Sequence, residues 1–139
     1  MSFREKTAWI SLVSLLLVFG IYFTAVGLAM AGHLQYSQTF SWFLQLVLAF
    51  VVLQIVLRLI VAKRAPLDAK VPADERETLI GLKADRVAGY LLAIGVFVAI
   101  FTLHLGAGRG ELAHAVLLAF AISQLAKHVA VIVLHRRDA

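Results

Sequence analysis

Four long runs of apolar positions, separated by short polar stretches, organise the chain: Ala8 to Ala31, Phe40 to Ala62, Val87 to Leu105 and Leu112 to Leu134. Each is close to the roughly 20 residues that a helix needs to cross a hydrocarbon core of about 30 Å. No water inside a bilayer satisfies backbone N–H and C=O groups, so uninterrupted runs of this length must be helical. Neither proline, Pro66 or Pro72, falls inside a run. The predicted fold class is therefore all-α, a four-transmembrane-helix bundle forming a single membrane domain, with a linker and helix start over residues 63–86.

That polar stretch, Lys63 to Arg86, is the only place for structure outside the membrane. Its first half, Ala65 to Pro72, reads as an extended linker, because each proline biases its predecessor away from helix. A helix then starts sharply. Asp74 is placed to cap it, and Glu77, three residues on, completes a capping box that leads through Leu79, Ile80 and Leu82 into the third span. One long helix is expected from about Asp74 to His104, weakened locally at Gly81.

Composition agrees with the pattern. Hydrophobic residues make up 62% of the 139 positions and mean hydropathy is +0.92; soluble domains stay near half. Charge adds an orientation, since basic residues near helix ends are retained on the cytoplasmic side. Ten of them share one face: Arg4 and Lys6; Lys63, Arg64, Lys70, Arg76, Lys83 and Arg86; Arg136 and Arg137. The opposite loops carry only Arg109. Both termini and the long loop are thus expected in the cytoplasm. The first run has a signal-peptide-like start and an Ala29-Met-Ala31 site, but exceeds the usual apolar core of about 7 to 15 residues. The net charge of +5 fits anionic headgroups and not nucleic acid, for which no module is present. The absence of cysteine excludes disulfides, thiolate metal sites, a cysteine nucleophile and covalently attached c-type haem.

The segment Asp74-Glu75-Arg76-Glu77, followed by Leu79-Ile80 and Lys83-Ala84-Asp85-Arg86, resembles a box in small bacterial and archaeal predicted membrane proteins. There, an acidic-basic-acidic run precedes the third of four helices. The resemblance covers residues 74–100. It implies a four-helix membrane protein that accompanies a transcriptional regulator, and it supplies no reaction, ligand or catalytic residue; Asp74, Glu75, Arg76 and Glu77 are the candidate partner-facing residues of the loop. The bland alternative is a solvated, well-capped helix start.

A shift of 70 residues lays Leu48-Ala49-Phe50 and Gln54 on Leu118-Ala119-Phe120 and Gln124. Spans one and three share a looser pattern, Gly20-Ile-Tyr22-Phe against Gly95-Val-Phe97-Val. Two hairpins entering from the same side would be parallel repeats related by an axis along the membrane normal; chance similarity between apolar helices competes with that reading.

Polar groups within spans are functional candidates, because a charge in hydrocarbon costs about 2.5 to 3.5 kcal/mol even on a gentle scale. Span four has Gln124, Lys127 and His128 on one face, and span two has Gln54 and Arg58 one turn apart. Facing one another, they would form a cationic core for an anionic ligand, a lipid headgroup or a partner's carboxylate. Snorkelling of Lys127 and Arg58 is the competing account. A second constellation joins His104 and His114, equidistant from residue 109 and so expected at one depth. With His33 and Glu111 they are candidates for a b-type haem or divalent metal, although no dihaem four-histidine pattern is present and interfacial histidines are common.

No span contains paired carboxylates, and no Ser-His-Asp grouping or His-Glu-x-x-His occurs, which disfavours a hydrolase and a carboxylate-driven proton transporter. Three expectations remain: a non-enzymatic accessory or sensory membrane protein without cofactor, acting through a homodimer or other membrane partner; a transport subunit using the cationic core; and a haem or metal redox protein. Small residues such as Gly20, Thr24, Gly27, Gly89 and Ala93 point to close helix packing.

Overall fold

The computed structural model describes residues 3–32, 36–64, 66–67, 72 and 74–137. Among the described residues the chain is four helices with no strand: α1 Phe3–Met30, α2 Tyr36–Arg64, α3 Glu75–His104 and α4 Arg109–Arg137. Each is long and apolar enough to cross a membrane. At 1.5 Å per residue, helices of 28 to 30 residues reach about 42 to 45 Å, more than one hydrocarbon core. The helices overrun the apolar runs because backbone hydrogen bonding continues through the polar flanks until a cap or turn stops it. Of the extended linker expected over Ala65 to Pro72, Pro66 and Leu67 are helical and not extended, and the rest except Pro72 lies outside the described residues. The helices group into two compact units, Met1–Val71 and Pro72–Ala139, each built on one helical hairpin.

In the first hairpin the buried residues of α1 step along one stripe, Ala8, Leu12, Leu15, Phe19, Tyr22, Val26 and Ala29. Spacings of four and three in alternation form the seam of a left-handed helix pair. Aromatic rings bridge α1 to α2: Phe19 to Phe50 with centroids 6.3 Å apart, and Tyr22 to Phe43 at 5.5 Å. Among its described side chains, α2 has a single buried residue, and it is polar: Gln54.

The second hairpin turns within Leu105 to Gly108. Gly106 takes φ +90°, a left-handed conformation that glycine adopts without steric cost, and Ala107 N–H closes back on the Thr102 carbonyl at 3.1 Å. The Gly108 N–H donates to Glu111 Oε2 at 2.9 Å, which caps α4 and starts it at Arg109. Between α3 and α4, small residues allow close approach. A β-carbon built on Gly95 would lie 2.5 Å from Ala119 Cβ and 3.3 Å from its Cα. Gly20, the counterpart of Gly95 in the repeat, has nothing within 4 Å of such a β-carbon. The tight helix contact of the second hairpin is therefore not reproduced in the first.

Candidate functional site

Several polar side chains along these helices turn back on their own backbone. Hydroxyls of Thr7, Ser14 and Thr24 donate to carbonyls four residues earlier, and those of Thr102 and Ser123 to carbonyls three earlier, at 2.6 to 2.9 Å. The imidazoles of His114 and His135 do the same, with Nδ1 2.6 Å from the Gly110 oxygen and 2.9 Å from the Val131 oxygen. A carbonyl only accepts, so in both rings Nδ1 is the protonated nitrogen. Such local bonds satisfy the hydroxyls without help from solvent or another helix, whereas the second ring nitrogen, Nε2, of His135 is buried without a hydrogen-bond partner among the described residues.

In each hairpin a polar contact crosses between the helices. Ser11 Oγ donates to Gln54 Oε1 at 3.0 Å, joining α1 to α2. The Gln54 amide nitrogen is buried and has no hydrogen-bond partner among the described residues; exchanging the amide oxygen and nitrogen would move the deficit without removing it. In the second hairpin Lys127 Nζ pairs with Asp85 Oδ1 at 2.5 Å, joining α4 to α3. Both side chains are partly exposed, 36% for Lys127 and 56% for Asp85, so the pair is a clamp near the helix surface and not a buried ion pair.

The five residues of the expected cationic core divide between the units: Gln54 and Arg58 in the first hairpin, Gln124, Lys127 and His128 in the second. Lys127 is neutralised by Asp85, while Gln54 is held by Ser11. Arg58 is exposed on α2; Gln124 and His128 are half-buried on α4. Asp85 and Ser11 are the partners that sequence reasoning missed. Nothing in the sequence distinguishes Ser11 from its neighbours. Asp85 was detectable: it and Lys127 are equidistant from Gly106, the centre of the actual turn.

The histidine constellation is altered by that same turn. Glu111, expected as a metal ligand, is spent on capping α4, which moves the hairpin's centre away from residue 109. With Gly95 opposite Ala119, nine residues along each helix bring His104 level with Gly110 and not with His114. The two imidazoles are offset by four residues, about 6 Å of helical rise. His104 stacks on Phe101, centroids 5.9 Å apart and planes 12° off parallel, whereas His114 is buried. His33 lies outside the described residues. Among the described residues no three His, Asp or Glu side chains gather into a metal-binding group.

At the start of α3, Asp74 Oδ1 accepts the Glu75 N–H at 2.7 Å, and the Asp74 carbonyl accepts from both Thr78 N–H and Thr78 Oγ1 at 2.9 and 3.1 Å. Glu75 and Arg76 are exposed and Glu77 is half-buried. The box is thus at least a helix cap built from Asp74 and Thr78. No family model matches the chain, and neither does any curated protein or solved structure.

Proposed function

We propose that the chain is a multi-pass inner-membrane protein with both termini and residues 63–86 on the cytoplasmic side. In this reading it acts without catalysis, as an accessory or sensory component that works through a second copy or another membrane partner. The observation that carries it is the contrast between the helix surfaces and their polar groups. Large apolar side chains stand exposed, among them Ile21 at 62%, Leu48 at 63% and Phe97 at 75%, while the hydroxyls of Ser14, Thr24 and Ser123 bond to their own helices. Water does not tolerate so much exposed hydrocarbon on a monomer; lipid and partner helices do, and they require self-satisfied polar groups.

The two ion-pair and hydrogen-bond contacts argue against chemistry at the polar core. A lysine already balanced by Asp85 and an amide already held by Ser11 tie each hairpin together and offer no free nucleophile or base. The resemblance of the Asp74 to Glu77 box to proteins that accompany a transcriptional regulator gives the cytoplasmic side a candidate partner.

The chain has no cysteine, so single cysteines report orientation directly. In intact cells, Ala107→Cys is expected to react with a membrane-impermeant maleimide and Leu67→Cys only after lysis. The reverse pattern would invert the proposed topology. Photo-crosslinking from position 21 or 101 in native membranes tests the partner: an adduct of one discrete mass supports it, and lipid adducts alone, together with ion flux in liposomes of the purified chain, would replace it with transport.

A further inference from the structure

Charged groups of the second hairpin gather in one layer. Asp85 and Lys127 pair across the helices, with Lys83 and Arg86 beside the first and His128 beside the second. Twenty residues separate Asp85 from Leu105 at the turn, about 30 Å of helix and so one hydrocarbon thickness. The turn and the charged layer thus have the spacing of two membrane boundaries. Because Asp85 is balanced by Lys127, it does not serve its neighbours: Lys83 and Arg86 are exposed and form no ion pair with any described residue.

From these two cations an exposed stripe climbs α3 in steps of three and four: Lys83, Arg86, Tyr90, Ile94, Phe97 and Phe101. Exposure along it is 66% for Tyr90, 60% for Ile94, 75% for Phe97 and 61% for Phe101. Arg86 to Phe97 spans eleven residues, about 16 Å, roughly the hydrocarbon depth of one leaflet. The sequence of chemistry along the stripe is cation, cation, phenol, then hydrocarbon. A free phosphate has no use for the upper half, and a protein helix has no reason to match both.

We infer that this stripe is a binding site for an anionic phospholipid of the inner leaflet, with Lys83 and Arg86 on the headgroup phosphate, the Tyr90 hydroxyl at the interface and the acyl chain along Ile94 and Phe97. The inference rests on the membrane reading above, but its failure is distinguishable. The lipid assay below runs in detergent and is indifferent to orientation, whereas maleimide labelling reports orientation and is indifferent to lipid class.

The test adds phosphatidylglycerol or phosphatidylcholine to the full chain in neutral detergent and counts retained lipids by native mass spectrometry, with the thermal unfolding midpoint alongside. The wild type is expected to retain phosphatidylglycerol preferentially and to melt higher with it. Lys83→Gln with Arg86→Gln should weaken that retention about thirtyfold, the worth of two basic residues at a membrane surface. Lys63→Gln with Arg64→Gln removes the same charge from the end of α2 and should leave the preference intact. If the double variant does not fold, Arg86→Gln alone is expected to weaken retention about fivefold. Phe97→Ala reports the acyl contact and should lower retention without changing the ratio between the two lipids. No preference in the wild type, equal loss from the Lys63 and Arg64 variant, or stabilisation by inorganic phosphate equal to that by phosphatidylglycerol would each overturn the site.

Discussion

Gly95→Ala tests the register on which the second hairpin has been interpreted. Two effects oppose each other. Replacing a glycine in a helix interior by alanine favours the helix by about 0.5 to 1 kcal/mol. At Gly95, however, the new methyl would sit 2.5 Å from Ala119 Cβ and 3.3 Å from its backbone Cα. Real β-carbons do not approach so closely, and the neighbour is not a flexible chain end that can swing away, so the helices must separate. Overpacking of this kind costs about 1 to 3 kcal/mol. The steric term therefore wins, and a net destabilisation of about 0.5 to 2 kcal/mol is expected. Gly89 lies in the same helix with nothing within 4 Å, so Gly89→Ala isolates the propensity term and should be neutral or stabilising. Moving the methyl across the interface, Gly95→Ala with Ala119→Gly, should recover most of the loss. Trp9 and Trp42 both belong to the first unit, so unfolding of the second is followed by circular dichroism during SDS titration. If Gly95→Ala behaves like Gly89→Ala, or the exchange recovers nothing, the helices do not meet where the structure brings them together.

The remaining tests concern the polar contacts. Asp85→Asn is expected to cost about 0.2 to 1 kcal/mol, because the Lys127 pair is partly exposed; Lys127→Met should cost less, since it removes a cation from an apolar helix, and a double-mutant cycle giving no coupling would refute the clamp. Ser11→Ala should destabilise the first hairpin by about 0.6 to 1.7 kcal/mol. Gln54→Leu should cost less than Ser11→Ala or nothing, because it also removes a buried amide nitrogen without a partner among the described residues; Trp9 and Trp42 fluorescence follows both, and the opposite ranking would mean that the amide nitrogen is satisfied.

Four helices of membrane-spanning length were legible in the sequence because burial in lipid demands length and apolarity, which single residues carry without knowledge of their neighbours. The start of α3 behind Asp74 was legible for a similar reason, since a cap acts within one turn; the partner seen there is Thr78, where the sequence pointed to Glu77. Contacts between helices were not, because they depend on register, and register here depends on a cap. With Glu111 read as a candidate metal ligand, nothing stopped the loop short of the apolar run at Leu112, and His104 and His114 were centred on residue 109. Letting the same carboxylate accept the Gly108 N–H shortens the loop to four residues and shifts the hairpin's centre to the neighbourhood of Gly106. That single change unseats the pairing of His104 with His114 and creates the pairing of Asp85 with Lys127. It also changes what Lys127 means. Measured against an apolar run from Leu112 to Leu134, the lysine sits past mid-membrane as an isolated charge in want of a ligand. Measured from the turn, it lies nineteen residues, about 28 Å, below Gly108, level with Asp85 and Arg86 and close to one hydrocarbon thickness from the turn. Its energetic problem is then already solved within the hairpin, and Lys83 and Arg86, which form no ion pair with any described residue, stand on the exposed side of α3 where lipid would meet them.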